Sequence, residues 1–424
     1  MSRAAKILHI WREQSPALIV IGRFGVLAIG LVNAPVLARA LGPEGRGDAA
    51  LAYAVLYLVP ILLALGVPLE VRRLGALGSG PEVLRAARRF ALLTYVPAIG
   101  LGGVAFWTVF SSFPENQRLV ASICVCLSPL TLAWTCDINL FLALGRYRAF
   151  LLVQIMQPTI ALAGVLGLWV NDAVTVSNVL LAFIVASSAT ALTSRFATRV
   201  KSRGSRTPLP QLWRGSLKYF GSAIAESLSN RLDQVVAMPL IGSAQLGLYS
   251  VASTVAGLPL AFGYALGSKY YRDIAVATPE ARPRIASQAV RSATVTSFVL
   301  VAGLAAATPY FVPLVFGDAF DAAVPVTLLA LSGSFAMLIG YVANLALAAE
   351  GRGVSMTIAQ VASMAIGITL LLILGPIWGS EGAAAASSTG YWALLLIVLI
   401  MLRMKMRQLV PRPSDVKAAM RALL

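Results

Sequence analysis

Apolar residues fall into twelve long stretches, separated by short polar breaks that carry glycine, proline or arginine. The stretches lie near 16–40, 48–70, 90–112, 118–143, 148–170, 174–194, 217–241, 246–268, 292–316, 321–348, 354–377 and 382–402. Each approaches the roughly 20 residues that an α-helix needs to cross a bilayer. The pattern predicts an all-α integral membrane protein of about twelve transmembrane helices, with no loop long enough to form a separate catalytic domain. The first stretch is too long for a cleaved signal core and reads as a retained span.

The breaks repeat. Leu41-Gly42 and Gly47 flank the first turn, and Ile241-Gly242 and Gly247 flank the seventh, at an offset of 200. Pro81-Glu82 in the break between the second and third stretches and Pro279-Glu280 in the break between the eighth and ninth are each followed by arginine. Asn139 precedes Gly145-Arg146 at the end of the fourth, as Asn344 precedes Gly351-Arg352 at the end of the tenth. A unit of six spans used twice keeps the same orientation, because six is even. The repeats are therefore parallel, related by an axis along the membrane normal. The expected organisation is an N-terminal lobe at 1–200, a basic linker at 201–215, a C-terminal lobe at 216–403 and a basic tail at 404–424.

Charge sharpens the topology. The 424 residues are 58% hydrophobic and 12% charged, with a net charge of +17, against about 25% charged residues in soluble domains. Mean hydropathy is +0.81. Of the 34 Lys and Arg, 29 fall in the N-terminus, alternate loops and tail. Cytoplasmic loops are enriched in Lys and Arg, so both termini are expected inside. The excess positive charge then reflects topology and contact with anionic membrane lipids, and no nucleic-acid partner is expected. Cys124, Cys126 and Cys136 read as small buried apolar residues. His9 is the sole histidine. With no metal-ligand cluster and no phosphate-binding loop, no metal or cofactor is expected and ATP is not hydrolysed.

Ionisable groups within spans are costly in lipid and point to function or to a partner. Arg23, Asp137, Glu226, Arg231 and Asp233 are such groups. Glu226, Asn230 and Asp233 are spaced i, i+4, i+7 on one helix face, with Arg231 on another. Such a helix either lines a wet cavity or holds an ion pair that fixes packing. Arg23 and Asp137 stand at similar depth, either paired or with Arg23 facing an anionic head group. Asn33 corresponds to Asp233 in the repeat. Ser128, Thr131, Thr135 and Asn139 share a face that either meets sugar hydroxyls or joins helices.

Several segments resemble a known family. ARALGPEGRG at 38–47 and ALGRYRAF at 143–150 are similar to its first turn and its entry to the fifth span. Asn230-Arg231-Leu232-Asp233, Gly247-Leu248-Tyr249 and Leu258-Pro259 resemble its second half. The family is the bacterial polysaccharide and oligosaccharide-lipid flippases of the multidrug/oligosaccharidyl-lipid/polysaccharide exporter superfamily. The resemblance implies two six-helix bundles around a central cavity and a multi-pass protein of the bacterial cytoplasmic membrane, not an enzyme. Its implied activity is alternating-access transfer of a polyprenyl-diphosphate-linked oligosaccharide for surface polysaccharide. Arg23, Asn33, Asn139, Asn230, Arg231 and Asn344 are then candidates for substrate binding, and Asp137, Glu226 and Asp233 for ion coupling. Its partners would be that substrate, membrane lipids and polysaccharide polymerase or export-complex proteins. The alternatives are a cation-coupled small-molecule or drug antiporter of the same superfamily, a membrane-embedded polysaccharide-assembly enzyme, and a non-transporting assembly partner.

Overall fold

A computed structural model describes residues 17–404 and Leu409, with the side chains of 17, 20, 218–230, 272 and 275 excepted. The described chain is helical almost throughout. In order, the elements are α1 (17–41), α2 (43–64), α3 (Val67–Leu74), α4 (Gly80–Leu93), α5 (Tyr95–Trp107), α6 (Glu115–Cys126), α7 (Pro129–Ala143), α8 (Tyr147–Val170) and α9 (Val176–Ala197). After the linker follow α10 (209–241), α11 (243–256), α12 (Leu260–Val276), α13 (Arg282–Phe316), α14 (Ala323–Ala349), α15 (353–378) and α16 (380–401).

Nine continuous helices among the described residues are long and apolar enough to cross a membrane. Three of them exceed 40 residues, roughly twice what a 30 Å bilayer core requires. Each of these three is interrupted by glycine at positive φ: Gly42 (φ 65°), Gly78 (φ 95°) and Gly379 (φ 56°). At Gly379 the consequence can be read from packing. Gly382 lies so close to the Leu374 carbonyl that a Cβ there would strike it, and Gly390 abuts Gly367 and Ser363. Residues eight apart in a straight helix are about 12 Å apart. The 353–401 segment is therefore a helical hairpin, α15 against α16, closed by small residues that let the backbones approach.

The halves repeat at the level of backbone conformation. Gly42 (φ 65°, ψ −177°) and Gly242 (φ 78°, ψ 171°) adopt the same non-helical state. Gly145 and Gly351 close α7 and α14 in the left-handed region, where glycine has no Cβ penalty. The following arginine N–H groups reach back in the same way, Arg146 to the Phe141 carbonyl and Arg352 to that of Leu347. The arginine side chains match too. Arg146 donates to the Ala197 carbonyl at the end of α9, and Arg352 to the Met401 carbonyl at the end of α16.

The chain divides into two compact units. The first comprises the chain up to Leu41 and Asp48–Arg231, and the second comprises Gly42–Gly47 with the chain from Leu232 onward. The boundary thus runs through α10 rather than the 201–215 segment. In the first unit, Val67, Val71, Val83, Leu84, Phe90 and Leu140 form a core that also buries Leu212 at the start of α10. Glu70, almost fully buried, receives both donors of the Arg73 fork and packs on Gly215, where no Cβ would fit. In the second unit Leu338, Ile339, Ala343, Leu395 and Val398 form an apolar core. Serines stitch its helices together: Ser297 to Phe335, Ser334 to Ala256 and Ser388 to Leu329, each hydroxyl donating to a backbone carbonyl. On α13 only 11% of the most apolar window is buried, and Phe298, Leu314 and Tyr310 are exposed. Such a surface would be untenable in water and is at home in lipid.

The Gly42–Gly47 turn is seated in the second unit by a reciprocal contact. A Cβ on Gly47 would run into the Ser243 carbonyl, and a Cβ on Gly247 into the Pro43 carbonyl. Positions 43 and 243, and 47 and 247, are the same places in the repeat, so residue i meets j as j meets i. Self-complementarity of this kind is the signature of a two-fold contact.

Candidate functional site

Asp137 sits on α7 with its carboxylate buried. Its partner is not Arg23 but Arg88 on α4, whose guanidinium lies 2.9 Å from Oδ1 with both side chains largely hidden from solvent. Ser194 on α9 donates to Oδ2 at 2.8 Å. The same guanidinium donates to the Thr198 hydroxyl and to the carbonyls of Arg195 and Val200. One arginine thereby ties α4, α7, the end of α9 and the start of the linker. Further along, Arg85 donates to the Ser205 carbonyl, and Ser205 donates to Glu82. Arg88 precedes the apolar stretch at 90–112 but lies more than two turns inside α4, which begins at Gly80, and its side chain meets neighbouring helices.

Arg23 is exposed on α1, one residue beyond Gly22, which packs on Gln154 and Leu151 of α8. Asn33 is half-buried, and its Oδ1 is sealed without a hydrogen-bond partner among the described residues. Asn344, on α14, is buried with its Oδ1 in the same condition. Asn139 donates to the Thr135 carbonyl and Thr135 to that of Thr131, so that part of the α7 stripe spends these donors on its own helix. The side chains of Glu226 and Asn230 lie outside the described residues.

Arg231 is half-buried on α10, in the first unit. Among the described residues it forms no ion pair. Its guanidinium lies over the ring of Tyr57 on α2, 5.2 Å from the centroid. Tyr57 packs edge-on against Phe183 of α9, as does Tyr53 one turn earlier. Nothing in the sequence distinguished Tyr57 from other aromatic residues of the spans.

Two residues on, Asp233 belongs to the second unit. Its Oδ2 accepts from the Tyr249 hydroxyl of α11, which also pairs with Ser387 of α16 at 2.7 Å, and its Oδ1 accepts from the Gln234 amide at 2.9 Å. A carboxylate, a phenol and a serine hydroxyl from three helices thus converge. Tyr249 was noted in the sequence only within a motif, and Ser387 was missed, since no local pattern marks either.

Comparison with known proteins agrees with this architecture. The family described as polysaccharide biosynthesis protein matches residues 15–268, more than half of the chain. No curated protein matches in sequence. Among solved structures, the chain is similar to the lipid II flippase MurJ in an inward closed conformation, with a TM-score of 0.75, 14% identity, 95% of this chain and 90% of that chain covered. An inward-facing multidrug resistance MATE family transporter of the MOP superfamily gives a TM-score of 0.72 at 15% identity, covering 95% and 99%. A MOP superfamily transporter from Pyrococcus furiosus, described as having a reversed-polarity binding pocket, gives 0.60 at 13% identity, covering 92% and 94%. At these identities the structures speak for the fold, and the family match speaks for membership. This multi-pass membrane chain belongs to the polysaccharide biosynthesis protein family and has the fold of the MOP superfamily structures it matches.

Proposed function

We propose that this chain flips a polyprenyl-diphosphate-linked oligosaccharide across the bacterial cytoplasmic membrane by alternating access, supplying surface polysaccharide synthesis. Twelve crossings with both termini inside follow if the glycine interruptions at 42, 78, 242 and 379 each reverse the chain. A sugar diphosphate cannot enter hydrocarbon unaided, because burying an unpaired ion is prohibitive. The observation that carries the reading is Arg231: a guanidinium in an apolar helix, facing an aromatic ring rather than a described carboxylate. Such a group retains its charge for an anionic head group, and guanidinium geometry suits phosphate oxygens. Arg23 on α1 is the second proposed contact for the anionic head group. Asn33, Asn139, Asn230 and Asn344 are the proposed sugar contacts.

Coupling to a proton or sodium gradient falls to Asp233, where three oxygen-bearing side chains meet, with Glu226 as a second candidate. Asp137, assigned to coupling in the sequence, is engaged by Arg88 and Ser194, and we place it as an anchor of the linker. The second reading, a cation-coupled antiporter for small molecules, draws on the likeness to the MATE fold. An arginine in the span with no carboxylate partner among the described residues favours anionic cargo over cationic.

The test is complementation of cells lacking this chain. Arg231→Ala is expected to insert normally and to abolish surface polysaccharide, with Arg231→Lys restoring part of it. Normal polysaccharide with Arg231→Ala would remove the residue from the mechanism. Efflux of cationic dyes, with no effect on polysaccharide, would favour the antiporter.

A further inference from the structure

We infer that Tyr57 is a positioning residue that holds Arg231 in place while leaving its charge unspent, so that the guanidinium can take up the diphosphate group of the substrate. The inference rests on the reading of Arg231 given above and adds the device that makes it workable. A lone arginine within a span has two ways to lower its cost. A carboxylate partner neutralises it, as Asp137 does for Arg88 at 2.9 Å. An aromatic face attracts it through the ring quadrupole without cancelling its net charge. Arg231 uses the second: its Cζ lies 5.2 Å from the Tyr57 centroid.

The ring is itself fixed. Tyr53 and Tyr57 stand one turn apart on α2, with centroids 6.4 Å apart. Phe183, only 4% exposed, presents an edge-to-face partner to each, at 5.4 Å and 61° for Tyr53 and at 5.9 Å and 84° for Tyr57. Edge-to-face contacts of this geometry are favourable and directional. Tyr57 is 41% exposed, so the ring held by Phe183 and Tyr53 is not fully enclosed by protein. A guanidinium on an aromatic face keeps its N–H donors in its own plane, where a planar pair of phosphate oxygens can meet them. An arginine paired with a carboxylate would have given those donors away. Arg88 and Arg231 thus divide by partner: Arg88, with a carboxylate, binds protein, and Arg231, with a ring and no described carboxylate, is available to a ligand.

The experiment uses the full chain in lipid nanodiscs and measures binding of a polyprenyl diphosphate, with the uncharged polyprenol and inorganic diphosphate as further arms. Tyr57→Leu is expected to weaken polyprenyl diphosphate binding by about three- to thirty-fold, the range spanned by cation–π attraction from exposed to desolvated sites. Tyr57→Phe should stay within about twofold, since the ring and not the hydroxyl carries the attraction. Phenylalanines with increasing fluorination at position 57 keep the shape and drain the quadrupole, and affinity should fall stepwise along the series. In an Arg231→Ala background, Tyr57→Leu should have no further effect, the mark of residues acting as one unit. Binding of the uncharged polyprenol should not change. Tighter binding of inorganic diphosphate than of the lipid would assign the site to a free anion and overturn the inference. A flat fluorination series, or equal losses for Phe and Leu, would overturn the role of Tyr57 while leaving Arg231 in place. Unchanged binding in Arg231→Ala would remove the reading of Arg231 as well, and so separates the two failures.

Discussion

The two repeats are most alike where the backbone turns and least alike where charges sit. Gly145 and Gly351 end equivalent helices with the same left-handed cap, and the arginine after each ties the helix end to an equivalent carbonyl. Yet two residues before the matching Asn139 and Asn344 stand Asp137 in one unit and Val342 in the other. Asp137 is clasped by Arg88 and Ser194. Val342, equally buried, fills an apolar cluster. At the start of the repeats the imbalance reverses: Asn33 lies in the first half, whereas Asp233 in the second meets Tyr249. The shared helical frame is therefore neutral about charge, and each ionic group is decided by the helices that face it. The first unit invests its carboxylate in holding the linker, and the second keeps one among hydroxyls.

The largest expected effect is on the clasp. Removing one partner of a buried ion pair strands the other, at about 3–5 kcal/mol. Asp137→Ala and Arg88→Ala should each lower the unfolding temperature in detergent sharply, and the double variant should lose less than the sum of the two. Val342→Asp should be as harmful as Asp137→Ala, because no cation faces it among the described residues. Tolerance of Val342→Asp would break the contrast between the units.

Next come the reciprocal glycines. A methyl group at Gly47 or Gly247 meets a backbone carbonyl that no rotamer change can move, and overpacking of this sort costs about 1–3 kcal/mol. Gly47→Ala and Gly247→Ala should unseat the 42–47 turn to the same extent, read as faster amide exchange in 42–47 and 242–247. An effect from one glycine alone would show that the contact is not two-fold.

The smallest effects belong to the helix-end arginines. Arg146→Ala and Arg352→Ala each remove one hydrogen bond to a carbonyl, and Arg352→Ala also an exposed contact with Glu350, at about 0.5–1.5 kcal/mol net because neither donor is buried. Arg352, 41% exposed, should cost less than Arg146, which also lies over the Phe141 ring. Thermal unfolding of the two variants side by side checks the order.

Much of this frame was legible in the sequence because its determinants are local. Span length, glycine at the turns and the Gly-Arg caps need only a few adjacent residues, and the offset of 200 exposed the repeat. Among the described residues nine helical segments stand against twelve apolar stretches, because helical hydrogen bonding runs up to Gly42, Gly242 and Gly379 from both sides and joins two stretches in each. The site was less legible. Arg88 reads as one more basic residue near a loop until α4 is seen to start at Gly80, and its partners come from α7 and α9, 49 and more residues away. Of the two alternatives for Arg23, pairing with Asp137 is not the one formed, since Asp137 meets Arg88: depth along a helix is readable from sequence, but rotation and neighbours are not. Tyr57 carried no signal, since an aromatic residue in an apolar helix looks alike whether it faces lipid, protein or a guanidinium.

Leaflet transfer in reconstituted vesicles tests the central claim most directly. A fluorescent polyprenyl-diphosphate oligosaccharide is placed in one leaflet, and its appearance in the other is followed with wild-type chain and with Arg231→Ala. The account predicts transfer by the wild type that depends on the diphosphate and is lost in the variant. Equal transfer by both proteins, or none by the wild type under an imposed ion gradient, would contradict it.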